Sequence, residues 1–271
     1  MMYEFEYSQP VTVALRAMSG SVEIDAGHNE TIRVEVVPLS DSPGAQQAAE
    51  NTRVLLDGGT LLVSAPHGDR WRWRRTPALR ISIQVPVGST LTGESAAADV
   101  RATGSYRDVQ LRLASADGHI AELFGDLRLG GASGDLSVGR VGGSASVKTA
   151  SGRIRIGDVT GDVTAATASG DIEVASVGGS LNAGTASGRV AVGSLCQGKS
   201  RVRTASGDVT VGVAPGTGVW LDLNTVGGRS ITDLAAHGDS APPAGAPMLD
   251  LRVRTASGDI RIHRATDRIA A

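Results

Sequence analysis

The chain has 271 residues, and its 26 Lys and Arg against 28 Asp and Glu give a formal net charge of −2 at neutral pH. This balance excludes a protein that binds nucleic acid through bulk positive charge, and no specific nucleic-acid partner is expected. Aromatic residues make up 3% of the chain and glycine occurs 36 times, so the core has to be built from small aliphatic side chains.

The first ten residues, MMYEFEYSQP, carry acids where a secretory signal peptide carries bases, and no apolar run follows them. Nowhere does the sequence hold about 18 consecutive apolar residues, the length that a membrane-spanning helix needs. We therefore expect a cytoplasmic protein without a membrane span. Cys196 is the sole cysteine, which excludes an intramolecular disulfide and a cysteine metal cluster.

Residues 1–95 predict strands with loose spacing that form an irregular N-terminal β-strand cap, continuous with the stack that follows. The sequence DSPGAQQAAEN, at residues 41–51, predicts one short helix. The stretch around DGG, at residues 57–59, predicts a hairpin.

The sequence GDRWRWRRTPALR stands apart, because it places four arginines around two of the three tryptophans of the chain. This Trp–Arg segment consists of Arg70, Trp71, Arg72, Trp73, Arg74 and Arg75. Strand alternation would put both indoles on one face and most of the guanidinium groups on the other. Either the tryptophans close the end of the stack, or the segment is a surface for an anionic partner. That partner would be an acidic protein, a polysaccharide or a lipid head group, bound through cation–π contacts and arginine–anion pairs.

An internal repeat organises residues 96–264, and its sequence mark is the string TASG. The string begins at five positions: Thr149, Thr167, Thr185, Thr204 and Thr255. The turn glycines of successive repeats lie mostly 18 or 19 residues apart, and the last interval is lengthened by an insert loop at residues 235–247. Residues 265–271 form a tail.

Each repeat contains two short runs of alternating apolar residues. After Gly152 the first run has Ile154 and Ile156, and the second has Val163 and Ala165. This predicts two short strands per repeat, joined by a turn near GD or GG and closed by the TASG turn. Neither strand can bury a face alone, so we expect stacked coils with aliphatic ladders between two parallel sheets. The predicted fold class is all-β, a β-solenoid or β-helix-like stack of two-strand coils of about 18 residues.

Charged residues follow the turn glycines in a row: Asp99 in a degenerate copy, then His119, Asp135, Arg153, Asp171, Arg189, Asp208, Arg229 and Asp259. Opposite signs alternate through most of this row, which predicts a charge ladder between coils. We interpret the row as structural rather than catalytic. The repeated Ser and Thr of TASG are interpreted in the same way, because turn chemistry accounts for them and no histidine accompanies them at a repeating offset.

Three other repeat classes with related periods are disfavoured by particular residues. A left-handed hexapeptide helix needs an aliphatic residue at every sixth position, but steps of six from Ile154 reach Thr160 and Ala166. Calcium-binding nonapeptide coils need GGxGxD, whereas Gly178 and Gly179 are followed by SLN. Pectinase-like β-helices have longer coils and cluster acids on one sheet, where this chain interleaves arginines.

Several motifs resemble those of one bacterial family: SGSVEI near the start, VPVGSTL further along, and the repeated TASGDI and TASGDV. The family is domain of unknown function 4097, a β-strand-repeat family that carries the label "putative adhesin". The resemblance covers about residues 10–264. It implies a β-solenoid with adhesion or envelope-stress roles, and it supplies no catalytic residues.

The sequence contains no recognisable metal-binding or phosphate-binding motif. Its histidines show no HxH or HExxH spacing, and no GxxxxGK(S/T) phosphate-binding loop is present. We therefore predict no cofactor, no metal and no catalytic residues. The predicted function is a non-enzymatic, adhesin-like interaction or scaffold module that binds an unknown protein or an anionic surface or polysaccharide. The alternative is a carbohydrate-active β-helix enzyme, which would show a cleft where two acids converge without an arginine between them.

Overall fold

Aliphatic side chains at alternate positions give the chain an all-β fold, as the sequence predicts. The computed structural model describes residues 1–28, 30–66, 77–234 and 247–265. The chain divides into two units, Met1–Arg140 and Val141–Ala271. The division near residue 95 between cap and repeats remains a prediction.

The N-terminal unit holds one helix and a series of strands within the part of the chain that is described. In chain order these elements are β1 (Met2–Glu6), β2 (Thr12–Gly27), β3 (Thr31–Pro38), α1 (Pro43–Glu50), β4 (Arg53–Asp57), β5 (Thr60–Ser64), β6 (Leu79–Pro86), β7 (Thr90–Tyr106), β8 (Val109–Ser115), β9 (Gly118–Leu123), β10 (Leu127–Ser133) and β11 (Leu136–Val141).

Two long strands, β2 and β7, each bend and supply both halves of a coil. They pair in parallel along nearly their whole length, from Thr12 opposite Thr90 to Ala26 opposite Gly104. On its other flank β2 pairs first with β5 and then with β6. Gly20 stands at this change of partner with a φ of 112°, and a Cβ there would overlap the backbone of the neighbouring strand.

Antiparallel strands close one side of the N-terminal unit. Strand β3 runs antiparallel to both β1 and β6, and β4 runs antiparallel to β5 across the predicted DGG turn. The predicted helix is confirmed as α1, where the Ser42 hydroxyl oxygen accepts from the Ala45 N–H at 3.3 Å. Because these strands cover the edge of the parallel coils, the N-terminal elements act as the irregular cap that the sequence predicts.

Tyr106 is the largest fully buried side chain of this unit. Its hydroxyl donates to the carbonyl oxygen of Ile24 at 2.8 Å, which satisfies the one polar atom that it brings into the core. Burial, assisted by the nearby Asp25 carboxylate, raises the pKa of Tyr106 far above its ordinary value. The side chain therefore stays neutral.

The C-terminal unit contains the regular repeats. Its described strands are β12 (Ala145–Lys148), β13 (Ile154–Val159), β14 (Val163–Ser169), β15 (Ile172–Val177), β16 (Leu181–Ser187), β17 (Val190–Leu195), β18 (Gly198–Ser206), β19 (Val209–Val213), β20 (Gly218–Thr225), β21 (Ser230–Thr232), β22 (Met248–Ser257) and β23 (Ile260–Arg264).

These strands form two parallel columns in which equivalent repeat positions face each other. In one column Ile154 of β13 lies opposite Ile172 of β15, which lies opposite Val190 of β17. In the other column Val163 of β14 lies opposite Leu181 of β16. All five side chains are at most 1% exposed, so the predicted aliphatic ladders are the core of this unit.

The TASG turns need both their threonine and their glycine. The Thr185 hydroxyl donates to the carbonyl oxygen of Gly170 at 3.2 Å, so it ties one turn to the preceding one. Gly188 has a φ of 149°, and a Cβ there would overlap that same carbonyl oxygen. The recurrent residues of the motif are therefore structural, as interpreted from the sequence.

Acidic side chains at these turns accept backbone hydrogen bonds from the next coil. In the N-terminal unit the Asp117 N–H donates to Asp99 Oδ1 at 2.9 Å, and the Asp135 N–H donates to Asp117 Oδ1 at 2.8 Å. The row therefore begins with three aspartates, and His119 lies outside it. The predicted alternation of sign is wrong at this end, because a carboxylate oxygen serves the backbone donor of the next coil rather than an opposite charge.

The last coils do not stack in chain order. Strands β18 and β19 pair with β22 and β23, which in turn pair with β20 and β21. The pair β22/β23 thus lies between two coils that precede it in sequence. In this order Leu251 and Val253 of β22 are fully buried, whereas their partners Leu221 and Leu223 on β20 are only half-buried.

This exchange also reorders the row of charged residues. The Asp259 N–H donates to Asp208 Oδ1, and the Arg229 N–H donates to Asp259 Oδ1, each at 2.9 Å. The backbone N–H of Arg229, with its guanidinium adding to the effect, holds the pKa of the Asp259 carboxyl below its usual value. Asp259, not Arg229, therefore follows Asp208, which corrects the predicted order.

We predict that replacing Ile172 by Asp lowers the free energy of unfolding by several kcal/mol, because it places an unpaired charge between the sheets. Replacing the adjacent Asp171 by Asn should lower it by less than about 1 kcal/mol, since the amide oxygen can still accept from the Arg189 N–H. Thermal denaturation of the two variants checks this, and equal shifts in Tm would contradict the assigned inward and outward faces.

Candidate functional site: an arginine face on the C-terminal unit

The Trp–Arg segment, for which the sequence predicts either an end cap or an anionic-partner surface, lies outside the described residues. Its members are Arg70, Trp71, Arg72, Trp73, Arg74 and Arg75. Residues 235–246 of the predicted insert loop and residues 266–271 of the tail also lie outside. All three remain predictions.

A basic surface is present where the exchange of coils brings β18 beside β22. Both strands contain the sequence RVRTAS, and they pair in parallel and in register, so that Arg201 faces Arg252 and Arg203 faces Arg254. The intervening Val202 is fully buried, as is its counterpart on β22. Because side chains alternate along a strand, all four arginines point away from the core.

We call this surface the arginine face, and define it by Lys199, Arg201, Arg203, Arg252 and Arg254. Neighbouring strands are about 4.8 Å apart, and alternate residues of a parallel strand are about 6.6 Å apart. The four arginine Cα atoms therefore mark the corners of a patch of about 5 by 7 Å. Lys199 lies in the adjoining row, opposite Asp250.

The charges of the arginine face are only partly compensated. Arg252 pairs with Asp250 through two contacts of 3.3 Å. Arg201, Arg203 and Arg254 form no ion pair with any residue in the described part of the chain. Like charges directly opposite each other on neighbouring strands are destabilising. This arrangement is therefore not explained by folding stability.

Aromatic and apolar groups border the arginine face on the outermost strand, β20. Trp220 lies opposite Asp250 in register, and its ring centroid is 5.4 Å from the guanidinium carbon of Arg252. The Trp220 side chain is 52% exposed and that of Met248, at the start of β22, is 50% exposed. An indole ring is therefore open to ligands beside the cationic groups.

Polar residues complete this side of the sheet. Asp222 lies opposite Arg252, Asn224 lies opposite Arg254, and Asn182 of β16 lies opposite Arg201. The surface thus combines guanidinium groups, which bind anions, with carboxylate and amide groups, which hydrogen-bond neutral polar groups, and with an indole ring.

One sequence signal for this site is the string RVRTASGD, which begins at both Arg201 and Arg252. We did not predict the site, because in chain order the repeat with its turn at Gly228 separates the two copies. Nothing in the sequence indicates that this repeat lies outermost.

An open groove of about 420 Å³ lies in the N-terminal unit, on the outer side of β2, β3, β6 and β7. Its charged lining consists of Glu23, Asp25, Glu35 and Arg101. Glu23 faces Arg101 in register, and the Thr103 hydroxyl donates to Asp25 Oδ1 at 2.8 Å. An arginine thus stands among the acids, unlike the pair of facing carboxyls that glycoside hydrolysis uses.

The described residues contain no group of three or more His, Cys, Asp or Glu side chains placed to hold a metal ion. None of their helices has the length and apolar character to cross a membrane.

Parallel two-strand coils, TASG turns and an antiparallel cap define a repeat protein of the β-solenoid class. The chain belongs to the Toastrack family, domain of unknown function 4097 (DUF4097), whose model matches residues 12–262. This confirms the family resemblance of the sequence motifs. No match was found among the curated proteins.

Solved structures that match the chain are distant. A "putative adhesin" from Bacteroides fragilis NCTC 9343 is 11% identical with a TM-score of 0.40, over 97% of this chain and 96% of that chain. A "putative lipid binding protein" from Parabacteroides distasonis ATCC 8503 is 11% identical with a TM-score of 0.42, and the match covers 98% of this chain and 96% of that chain. Likenesses this distant say nothing about what the chain binds.

We predict that replacing Arg203 by Glu raises the free energy of unfolding by roughly 0.2–1 kcal/mol, because it turns a like-charge pair with Arg254 into an ion pair. The matched control is Arg155→Glu, which breaks the 3.2 Å ion pair with Glu173 on the other column and should lower stability by a similar amount. Urea denaturation measures the free energy of unfolding of both variants. A lower value for Arg203→Glu than for the unaltered protein would contradict the prediction and show that Arg203 stabilises the fold.

Proposed function

We propose that this protein is a non-enzymatic, adhesin-like interaction module that binds an anionic partner at the arginine face. The observation that carries the proposal is the pair of facing arginine rows, Arg201 with Arg252 and Arg203 with Arg254, which folding does not require. An anion placed over these rows would remove the repulsion between them. Binding of the anion would therefore itself remove the repulsion between the facing arginines.

The Trp–Arg segment stays in the proposal as a second basic surface with the same chemistry. The sequence of the Trp–Arg segment contains four arginines and two tryptophans, and the arginine face contains four arginines beside Trp220. The family to which the chain belongs has no established activity, so the choice between the surfaces rests on direct binding measurements. A cytoplasmic location also remains a proposal, and cell fractionation of the parent organism tests it.

The first test uses a sulfonated cation-exchange matrix at neutral pH. Because the chain has a net charge of −2, retention requires a local concentration of positive charge. We expect the variant with Arg201, Arg203, Arg252 and Arg254 changed to Gln to elute at distinctly lower salt than the unaltered protein. Tm of the variant should stay within a few degrees, since no core volume is removed.

The matched control loses the same charge elsewhere, through Gln substitutions at the exposed Arg16, Arg53, Arg189 and Arg261. Its elution should remain close to that of the unaltered protein. Equal elution of both quadruple variants would contradict an anion site at the arginine face. A third variant, with Gln at the four arginines of the Trp–Arg segment, shows which of the two basic surfaces contributes more.

The enzyme alternative is tested at the groove of the N-terminal unit. Turnover of any member of a polysaccharide panel, abolished by Glu23→Gln or Asp25→Asn, would replace the proposal of a non-enzymatic module with that of a carbohydrate-active enzyme. We expect no turnover. Arg101 faces Glu23 in this groove, so the groove does not present the pair of facing carboxyls that glycoside hydrolysis uses.

A further inference from the structure

We infer that the ligand of the arginine face is an acidic polysaccharide, whose carboxylate groups pair with the arginines while a sugar ring packs on Trp220. This inference rests on the proposed function, because it names the class of anion that the face binds. It draws on three features of the surface: its number of cationic groups, its exposed indole, and the acids and amides between them.

The number of cationic groups points to a polymer. A single carboxylate or phosphate is bound well by one bidentate arginine or two. The arginine face offers four arginines in two rows and Lys199 in a third row. A linear polyanion can place several charged groups over these rows at once. Several ion pairs with the arginines then offset the entropic cost of ordering the polymer.

The exposed indole points to a ligand with flat, weakly polar faces next to its charges. Trp220 is held by register pairing in β20, and its ring is close to Arg252 yet 52% exposed. A sugar ring can lie on an indole face while its carboxylate reaches the adjoining guanidinium. The same arrangement gives no advantage to an inorganic anion, which has no face to pack.

The acids and amides favour a polysaccharide over a membrane. Asp222 and Asp250 lie among the cationic groups and would be repelled by a continuous anionic lipid surface. Carboxylates and amides are instead good partners for sugar hydroxyls, and Asn182 and Asn224 add two amides to the same face. Apolar contact is limited to Trp220 and Met248 within the described part of this face.

The same surface is poorly suited to single-stranded nucleic acid. Proteins that bind such strands stack successive bases on successive aromatic side chains along a basic groove. Among the described residues one aromatic side chain, Trp220 of β20, borders the arginine face. A polymer that requires a single packed ring fits this arrangement better.

The test measures binding of the full chain to four probes by biolayer interferometry. The probes are polygalacturonate, its fully methyl-esterified form, phosphatidylglycerol vesicles and a single-stranded oligothymidine. We expect polygalacturonate to bind, the esterified polymer to bind at least about tenfold more weakly, and the affinity for polygalacturonate to fall as sodium chloride rises. The arginine-to-Gln quadruple variant should lose this binding, while the Arg16, Arg53, Arg189 and Arg261 variant keeps it.

A second pair of variants tests the role of the indole. Trp220→Ala should weaken polygalacturonate binding about fivefold or more, and Trp220→Phe should restore most of the loss, because an aromatic face is what the sugar needs. The control is Phe124→Ala, which removes a 60% exposed aromatic side chain from the N-terminal unit and should leave binding unchanged. Circular dichroism and Tm establish that each variant is folded.

The outcomes separate the inference from the proposed function. Arginine-dependent binding of the vesicles or of oligothymidine, without binding of polygalacturonate, would overturn the polysaccharide and leave the anion site standing. Equal binding of the charged and esterified polymers, or no effect of Trp220→Ala, would also overturn the inference. If the quadruple arginine variant binds every probe as well as the unaltered protein does, the proposed function fails too.

Discussion

Backbone pairing between equivalent positions of successive coils is the interaction on which the C-terminal unit depends. Parallel strands in register place each residue beside its counterpart one repeat away, as Ile154 lies beside Ile172. Side chains of similar character therefore form rows. Aliphatic rows form a core without large aromatic side chains, which is why a chain with 3% aromatic residues can fold. The TASG glycines follow from the same constraint, because coils this close leave no room for a Cβ at the turn.

Stacking of equivalent positions has opposite consequences for the two kinds of charged row. At the turns, Asp99 and Asp171 each accept a backbone N–H of the next coil, so a repeated acid is useful even without an opposite charge. On the sheet surface, Arg201 and Arg203 gain nothing comparable and face further arginines. A row that satisfies the backbone has a structural explanation. Facing arginines whose charges are only partly compensated have no such explanation, and the anionic partner that we propose would supply one.

The arginine face and the Trp–Arg segment use the same residue types in different parts of the chain. Both are consistent with a module that acts through its surface rather than through a catalytic centre. The groove of the N-terminal unit has a different character, since Arg101 faces one of its acids. A function in binding therefore follows more directly from the described residues than a function in hydrolysis does.

The sequence by itself determined the repeat, its two strands, the short helix, the DGG hairpin and the role of the TASG turns, because periodicity and turn chemistry are local properties. It could not determine the order of the last coils. Strands β20 and β22 carry aliphatic residues at the same register positions, so the alternation pattern does not distinguish them, and Leu251 and Val253 of β22 occupy the position beside β18. Connecting a distant strand costs little more than connecting a near one, since loop entropy grows slowly with length. Only the tertiary structure therefore placed Arg201 beside Arg252 and created the arginine face.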